Sequence, residues 1–309
     1  MQKPRALRPG SRIAVVAPAS SFKREVFDAG IAEIKQLGFV PVYDDSVFDK
    51  GVPPYVAGTP ETRAKALRAA FVDPSIDGII AVRGGYGSAQ LLPLLDVEEA
   101  RRARKPFIGY SDLTAILSFL TIQCEVVAFN GPMIGDRLSE GEAGYDRASF
   151  LNAVSRPEPV GELAPAGLEV MKSGEARGPL FGGTVTQLLA TMGTPWAFDP
   201  PNGYVLFFEE VGERPYRLDR MVTQLRQTGL LARASAIVIG ELNGCDEPGG
   251  TPTGRSVMAQ VLADFRGPIV AGFPSGHTKQ QVYTLPLGVA CRVVANNQPR
   301  LVIEEAAVQ

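Results

Sequence analysis

Pro106-Phe107-Ile108-Gly109-Tyr110-Ser111-Asp112-Leu113-Thr114-Ala115-Ile116-Leu117-Ser118-Phe119-Leu120 carries two hydrophobic periods in direct succession. Pro106 to Tyr110 is an apolar run of strand length. Leu113, Ile116, Leu117 and Leu120 then recur at the spacing of one helix face. Upstream, the same alternation repeats. Arg12 to Ala17 reads as a buried strand ended by Pro18, and Phe27, Ile31 and Ile34 mark a helix that Gly38 stops. Phe39 to Tyr43 is a second strand. Thr59-Pro60 reads as an N-cap followed by proline at the first helical position, opening a helix that runs through Phe71. Asp77 to Val82 reads as a further buried strand. Apolar strands alternating with helices predict a mostly parallel sheet covered on both faces, an α/β fold.

Downstream, a helix is expected between Gly141 and Pro159. Residues 157–178 are rich in Pro, Gly and Glu with little periodicity, and read as a linker between an N-terminal unit, 1–156, and a C-terminal unit, 179–309. In the second unit the pattern predicts a helix near Gly183 to Met192 and a strand at Tyr204 to Glu209. A helix with the stripe Leu218, Met221, Val222 and Leu225 follows, then strands at Ala236 to Gly240, Ile269 to Gly272 and within Val289 to Ile303.

Composition narrows the function classes. The 309 residues are 45% hydrophobic and 21% charged, the balance of a chain with a sizeable core. A formal charge of -2 supplies no basic field for nucleic acid or an anionic membrane surface, so neither is expected as a partner. No apolar run approaches the roughly 20 residues that span a bilayer, and the first ten residues lead into no signal-type apolar segment. Cys124, Cys245 and Cys291 are odd in number and widely spaced, which fits a reducing, cytoplasmic setting better than a disulfide framework.

Four segments carry candidate chemistry. His277, in Gly276-His277-Thr278, is the single histidine; a metal site built from several imidazoles is thereby excluded, and any histidine base near neutral pH must be this one. Ser111 ends a strand just before a helix, the placement of a nucleophile elbow, although Leu113 replaces the second glycine of that motif and the same position suits a helix cap. Arg83-Gly84-Gly85-Tyr86-Gly87-Ser88 follows a strand and offers backbone N–H groups to an oxyanion, or simply turns the chain; it lacks the dinucleotide spacing. Glu209-Glu210 ends an apolar strand, where an acid either orients a histidine or meets solvent.

In this order, these segments resemble the LD-carboxypeptidase family of serine peptidases, the muramoyl-tetrapeptide carboxypeptidase group that also contains the microcin C immunity peptidases. Val16-Ala17-Pro18-Ala19-Ser20, Gly131-Pro132, Gly182-Gly183 and Pro215-Tyr216-Arg217-Leu218-Asp219-Arg220 extend the likeness over most of the chain. The resemblance implies a flavodoxin-like N-terminal domain and a smaller β-rich C-terminal domain. It implies Ser111 as nucleophile, His277 as base, Glu209 (the first acid of the pair) as the residue orienting it, and the backbone N–H groups of Gly85 and Asp112 as the oxyanion hole. It further implies a murein peptide substrate cut before a terminal D-alanine, no cofactor or metal, and a homodimer. Arg83, Tyr86 and Arg217 are candidates for substrate contacts. Asn130 and Thr184 stand where many members carry histidine and asparagine, which bears on substrate contacts and not on the triad. An immunity-type peptidase acting on a peptidyl-nucleotide, in which Trp196 would stack on a base, and a non-catalytic small-ligand-binding protein are the alternatives.

Overall fold

A computed structural model describes all residues, Met1–Gln309. Five parallel strands form the first sheet: β1 (Arg12–Val16), β2 (Val40–Val42), β3 (Gly78–Ala81), β4 (Phe107–Gly109) and β5 (Ala128–Asn130). Their order, β2-β1-β3-β4-β5, is the flavodoxin-like one. β1, β3 and β4 are buried almost throughout, as strands covered on both faces must be. The helices Arg24–Gln36 and Pro60–Val72 fall where the sequence predicts, and the Thr59 hydroxyl accepts the Thr62 N–H (3.2 Å) as the cap.

The second sheet has eight strands: β6 (Pro159–Leu163), β7 (Glu169–Lys172), β8 (Gly174–Thr184), β9 (Tyr204–Val211), β10 (Ala234–Asn243), β11 (Ile269–Phe273), β13 (Ala290–Ala295) and β14 (Arg300–Ala306), in the order β6-β14-β13-β8-β9-β10-β11-β7. β8 to β11 are parallel to one another, and the flanking strands pair antiparallel. The remaining strand, β12 (Leu285–Leu287), leaves this unit and pairs antiparallel with β5.

One expectation is corrected here. The stretch 157–178 is not a linker: it forms β6, β7 and the start of β8. β6 and β7 are the two edges of the second sheet, and their Pro, Gly and Glu content suits edge strands that must not invite further pairing. The C-terminal unit also lends β12 to the N-terminal sheet. The main apolar core is accordingly shared, running from Ile80, Ile108 and Phe129 of the first sheet to Leu180, Val205 and Phe207 of the second. A second core fills the other face of β8 to β11, where Leu206, Phe208, Ile237 and Ile239 meet Leu218, Val222 and Leu225 of the helix Pro215–Gln227. No helix is long and apolar enough to cross a membrane.

Candidate active site

The carboxyl end of β8 meets the helix that follows β4, where the Thr184 N–H donates to Thr114 Oγ1 at 3.1 Å; carboxyl ends of parallel strands are where open α/β sheets hold ligands. Ser111 stands at the end of β4 with φ +65°, one of three non-glycine residues in the left-handed region. That conformation costs about 1–2 kcal/mol and marks a turn that the surroundings enforce. The turn opens straight into a 3₁₀ turn (Ser111–Leu113), an α-helix (Thr114–Ser118) and a π-turn (Phe119–Gln123); the stripe expected there is buried throughout.

The glycine loop packs against this elbow. A Cβ on Gly84 would lie 2.7 Å from Ser111 Cβ and 2.9 Å from its Oγ, so only glycine fits there. Gly85 adopts φ +100°. The N–H groups of Gly85 and Asp112 meet no acceptor among the turn, loop and cap hydrogen bonds. The loop is fastened from three sides. Ser20 Oγ accepts the Tyr86 N–H at 3.0 Å, and the Ser20 N–H donates to the Gly84 carbonyl at 3.2 Å. The Asp112 carboxylate accepts the Ser88 N–H at 2.8 Å, while Ser88 Oγ donates to the Asp112 carbonyl. Arg63, only 3% exposed, donates to the carbonyls of Pro18 (2.7 Å) and Gly87 (2.8 Å). Burial pushes the Asp112 carboxyl above its ordinary range even though the Ser88 and Gly87 N–H groups and the Arg63 charge oppose it. No feature of the sequence singled out Arg63; it is one arginine on an amphipathic helix.

From the second sheet, β9 delivers two buried carboxylates that diverge. Glu209 turns to His277: Nδ1 lies 2.9 Å from Oε2 and 3.2 Å from Oε1, and the His277 backbone N–H donates to Oε2 at 3.1 Å. Thr184 Oγ1 donates to Oε1 from the adjacent strand. Glu210 points the opposite way, accepting the Thr186 N–H (2.9 Å), the Thr186 hydroxyl (2.6 Å) and the Val211 N–H (3.0 Å). Its carboxyl is raised, chiefly by burial. Since an ionised carboxylate only accepts, Glu209 fixes the proton on Nδ1 and leaves a lone pair on Nε2. Burial lowers the His277 pKa, but the Glu209 hydrogen bond and charge, with Glu210 and Asp136 behind them, outweigh it and hold the ring above the usual histidine value.

Tyr110, the residue before Ser111, packs edge-to-face on the His277 ring with centroids 5.3 Å apart. The elbow and the histidine loop are thus neighbours, although no hydrogen bond joins Ser111 Oγ to the ring in this structure. Among the candidate substrate contacts, Arg83 and Tyr86 are exposed beside the glycine loop, Tyr86 in an edge-to-face pair with Tyr55. Arg217 is exposed and paired with Glu213 at 3.1 Å. Asn130 is buried and donates to Ser275 Oγ at 2.9 Å, two residues before His277. Trp196 is half-buried against the main core.

Two family models match the chain. Residues 13–131 match the LD-carboxypeptidase N-terminal domain, and residues 177–293 the LD-carboxypeptidase C-terminal domain. The murein tetrapeptide carboxypeptidase of Pseudomonas aeruginosa is 31% identical over 280-odd residues, with 87% of this chain and 89% of that protein covered. The solved muramoyltetrapeptide carboxypeptidase of Oxalobacter formigenes superposes with a TM-score of 0.83 at 28% identity, covering 96% and 99% of the two chains. The microcin C7 self-immunity protein MccF of Escherichia coli is 26% identical, with 94% of this chain and 91% of that protein covered. The wild-type MccF structure shares the fold, with a TM-score of 0.88 at 23% identity over the whole of both chains.

Proposed function

The chain belongs to the LD-carboxypeptidase family of serine peptidases, and from that premise we propose that it removes the terminal D-alanine of murein tetrapeptides through an acyl-enzyme on Ser111. The observation that carries this reading is the Glu209–His277 couple, with Nδ1 at 2.9 Å from the carboxylate, lying beside the strained elbow of Ser111. His277 Nε2 takes the Ser111 proton as Oγ attacks the carbonyl that joins the L-centre of diaminopimelate or lysine to D-alanine. The Gly85 and Asp112 N–H groups receive the oxyanion, and Glu209 stabilises the imidazolium. Collapse breaks the C–N bond, His277 returns the proton to the departing amine, and a water activated by the same imidazole hydrolyses the ester.

The departing residue carries a free carboxylate, which needs cationic or N–H donors. We assign this role to Arg83, which is exposed beside the glycine loop and donates to the Ser21 carbonyl at 3.2 Å. Arg217, already paired with Glu213, has less to offer. Tyr86 lines the same rim.

The test is release of D-alanine from a murein tetrapeptide, run beside a peptidyl-nucleotide substrate and with labelling by a fluorophosphonate. Ser111→Ala is expected to abolish labelling and to lower turnover by about 10³-fold or more. Near-full activity in that variant would remove Ser111 as the nucleophile, and cleavage of the nucleotide substrate alone would move the chain to the immunity-type reaction. Absence of both labelling and turnover in the wild type would favour a binding protein.

A further inference from the structure

The nucleophile stands on the first sheet and the base on a loop of the second, so their approach must be held by contacts between the two. One polar path does this. Tyr110, 1% exposed, donates its hydroxyl to Asp136 Oδ2. Asp136 Oδ1 lies 3.8 Å from Arg137 Nε, and that nitrogen, buried without a hydrogen-bond acceptor, is held by charge alone. Arg137 Nη2 donates to the Thr278 carbonyl. The path therefore runs from the residue before Ser111 to the residue after His277. Glu241 secures its far end, since Thr278 Oγ1 donates to Glu241 Oε1 at 2.6 Å.

We propose that Asp136 and Arg137 form a clamp between the sheets that sets the approach of His277 to Ser111; they are positioning residues whose loss costs rate and not binding. The inference rests on reading Ser111 as nucleophile and His277 as base. Neither side chain reaches the reacting atoms, but a misplacement of about 1 Å at a nucleophile–base pair is enough to cost about 10²-fold. The clamp also brings charge near the ring: Glu209 of β9 meets Nδ1, Glu210 of the same strand is turned away but adds its charge, Asp136 after β5 adds another, Tyr110 packs on the ring edge-on, and Arg137, Glu241 of β10 and the Lys279 N–H engage the loop beside it.

The experiment measures tetrapeptide hydrolysis by Arg137→Met, Arg137→Lys, Asp136→Asn and Tyr110→Phe, with Ser111→Ala alongside. Arg137→Met is expected to lower kcat by about 10- to 10²-fold with KM within about threefold, and Arg137→Lys, which keeps a cationic donor on the same stem, to recover most of it. Asp136→Asn removes a carboxylate facing the imidazolium, so the acid limb of kcat/KM moves to lower pH. Wild-type kcat in folded Arg137→Met overturns the clamp, as does a loss shared equally by the Lys variant with the acid limb of Asp136→Asn unmoved. If Arg137→Met does not fold, Tyr110→Phe decides: a lowered kcat at unchanged KM supports the clamp, and an unaltered kcat sinks it. Activity in Ser111→Ala would instead overturn the nucleophile reading on which the clamp depends.

Discussion

Replacing Glu209 by glutamine removes a charge and almost nothing else, which makes it the sharpest test of the proposed role of His277 as base. The carboxylate is 1% exposed and receives His277 Nδ1, the His277 backbone N–H and the Thr184 hydroxyl. A glutamine whose carbonyl replaces Oε2 keeps both histidine donors, and its amide can donate to Thr184 Oγ1 once that hydroxyl rotates. The fold should lose only about 1 kcal/mol. Catalysis should lose more. An imidazolium and a carboxylate in this contact attract by about 4–6 kcal/mol at an effective dielectric near 20. Burial of the ring, whose side chain is 22% exposed, returns part of that. A net loss of about 3–4 kcal/mol corresponds to about 10²- to 10³-fold in kcat/KM. The pH profile supplies the signature. Glu209 holds the His277 pKa above its ordinary value, so its removal lets that pKa fall, and the acid limb of kcat/KM moves to lower pH while the plateau drops. A plateau within about threefold of wild type in folded protein, or an acid limb that stays or rises, would refute the reasoning.

Three further outcomes are expected. Ser111→Ala and His277→Ala should each lose about 10³-fold or more in kcat, and the double variant little beyond either single one; additive losses would separate the two residues functionally. Gly84→Ala forces a methyl to 2.7 Å from Ser111 Cβ and 3.2 Å from the Asp112 N–H nitrogen, so kcat should fall at least tenfold with about 1–3 kcal/mol of stability, read from tetrapeptide kinetics and thermal melts; a neutral result would mean the glycine loop does not bear on the nucleophile. Burial pushes the Cys124 thiol up to about 12, Cys245 to about 11 and Cys291 higher still, so an aromatic disulfide reagent at neutral pH should find no reactive thiol in the native protein and all three after denaturation.

The first sheet was legible because its strands are buried on both faces and read as unbroken apolar runs: β1, β3 and β4 fall within a residue or two of the expected spans. β5 escaped because three residues, Ala128 to Asn130, carry no period, and β12 because Leu285-Pro286-Leu287 is as short and pairs with a strand far away in sequence. β6 and β7 were hidden by the same polarity that protects a sheet edge. Local rules see an element through its own burial pattern. Pairing between remote segments leaves no such trace, and here it unites two units that composition alone would separate.

At the site, the limit lies in a parity that the sequence states without resolving. Along β9, Val205 and Phe207 enter the shared core, while Leu206 and Phe208 enter the outer one. Period two therefore sends Glu209 toward the first sheet and Glu210 toward the outer helices, where Thr186 takes it. Alternation alone gives the divergence, but the inward face is fixed by neighbours from other strands and loops. Gly240 is one: a Cβ there would come within 2.6 Å of Glu209 Cβ. Gly276, at φ +80°, is the other, since its Cβ would lie 2.7 Å from the carboxylate carbon. The histidine loop can lay its backbone N–H and its ring on one carboxylate only because residue 276 has no side chain to occupy the space where that carboxylate stands.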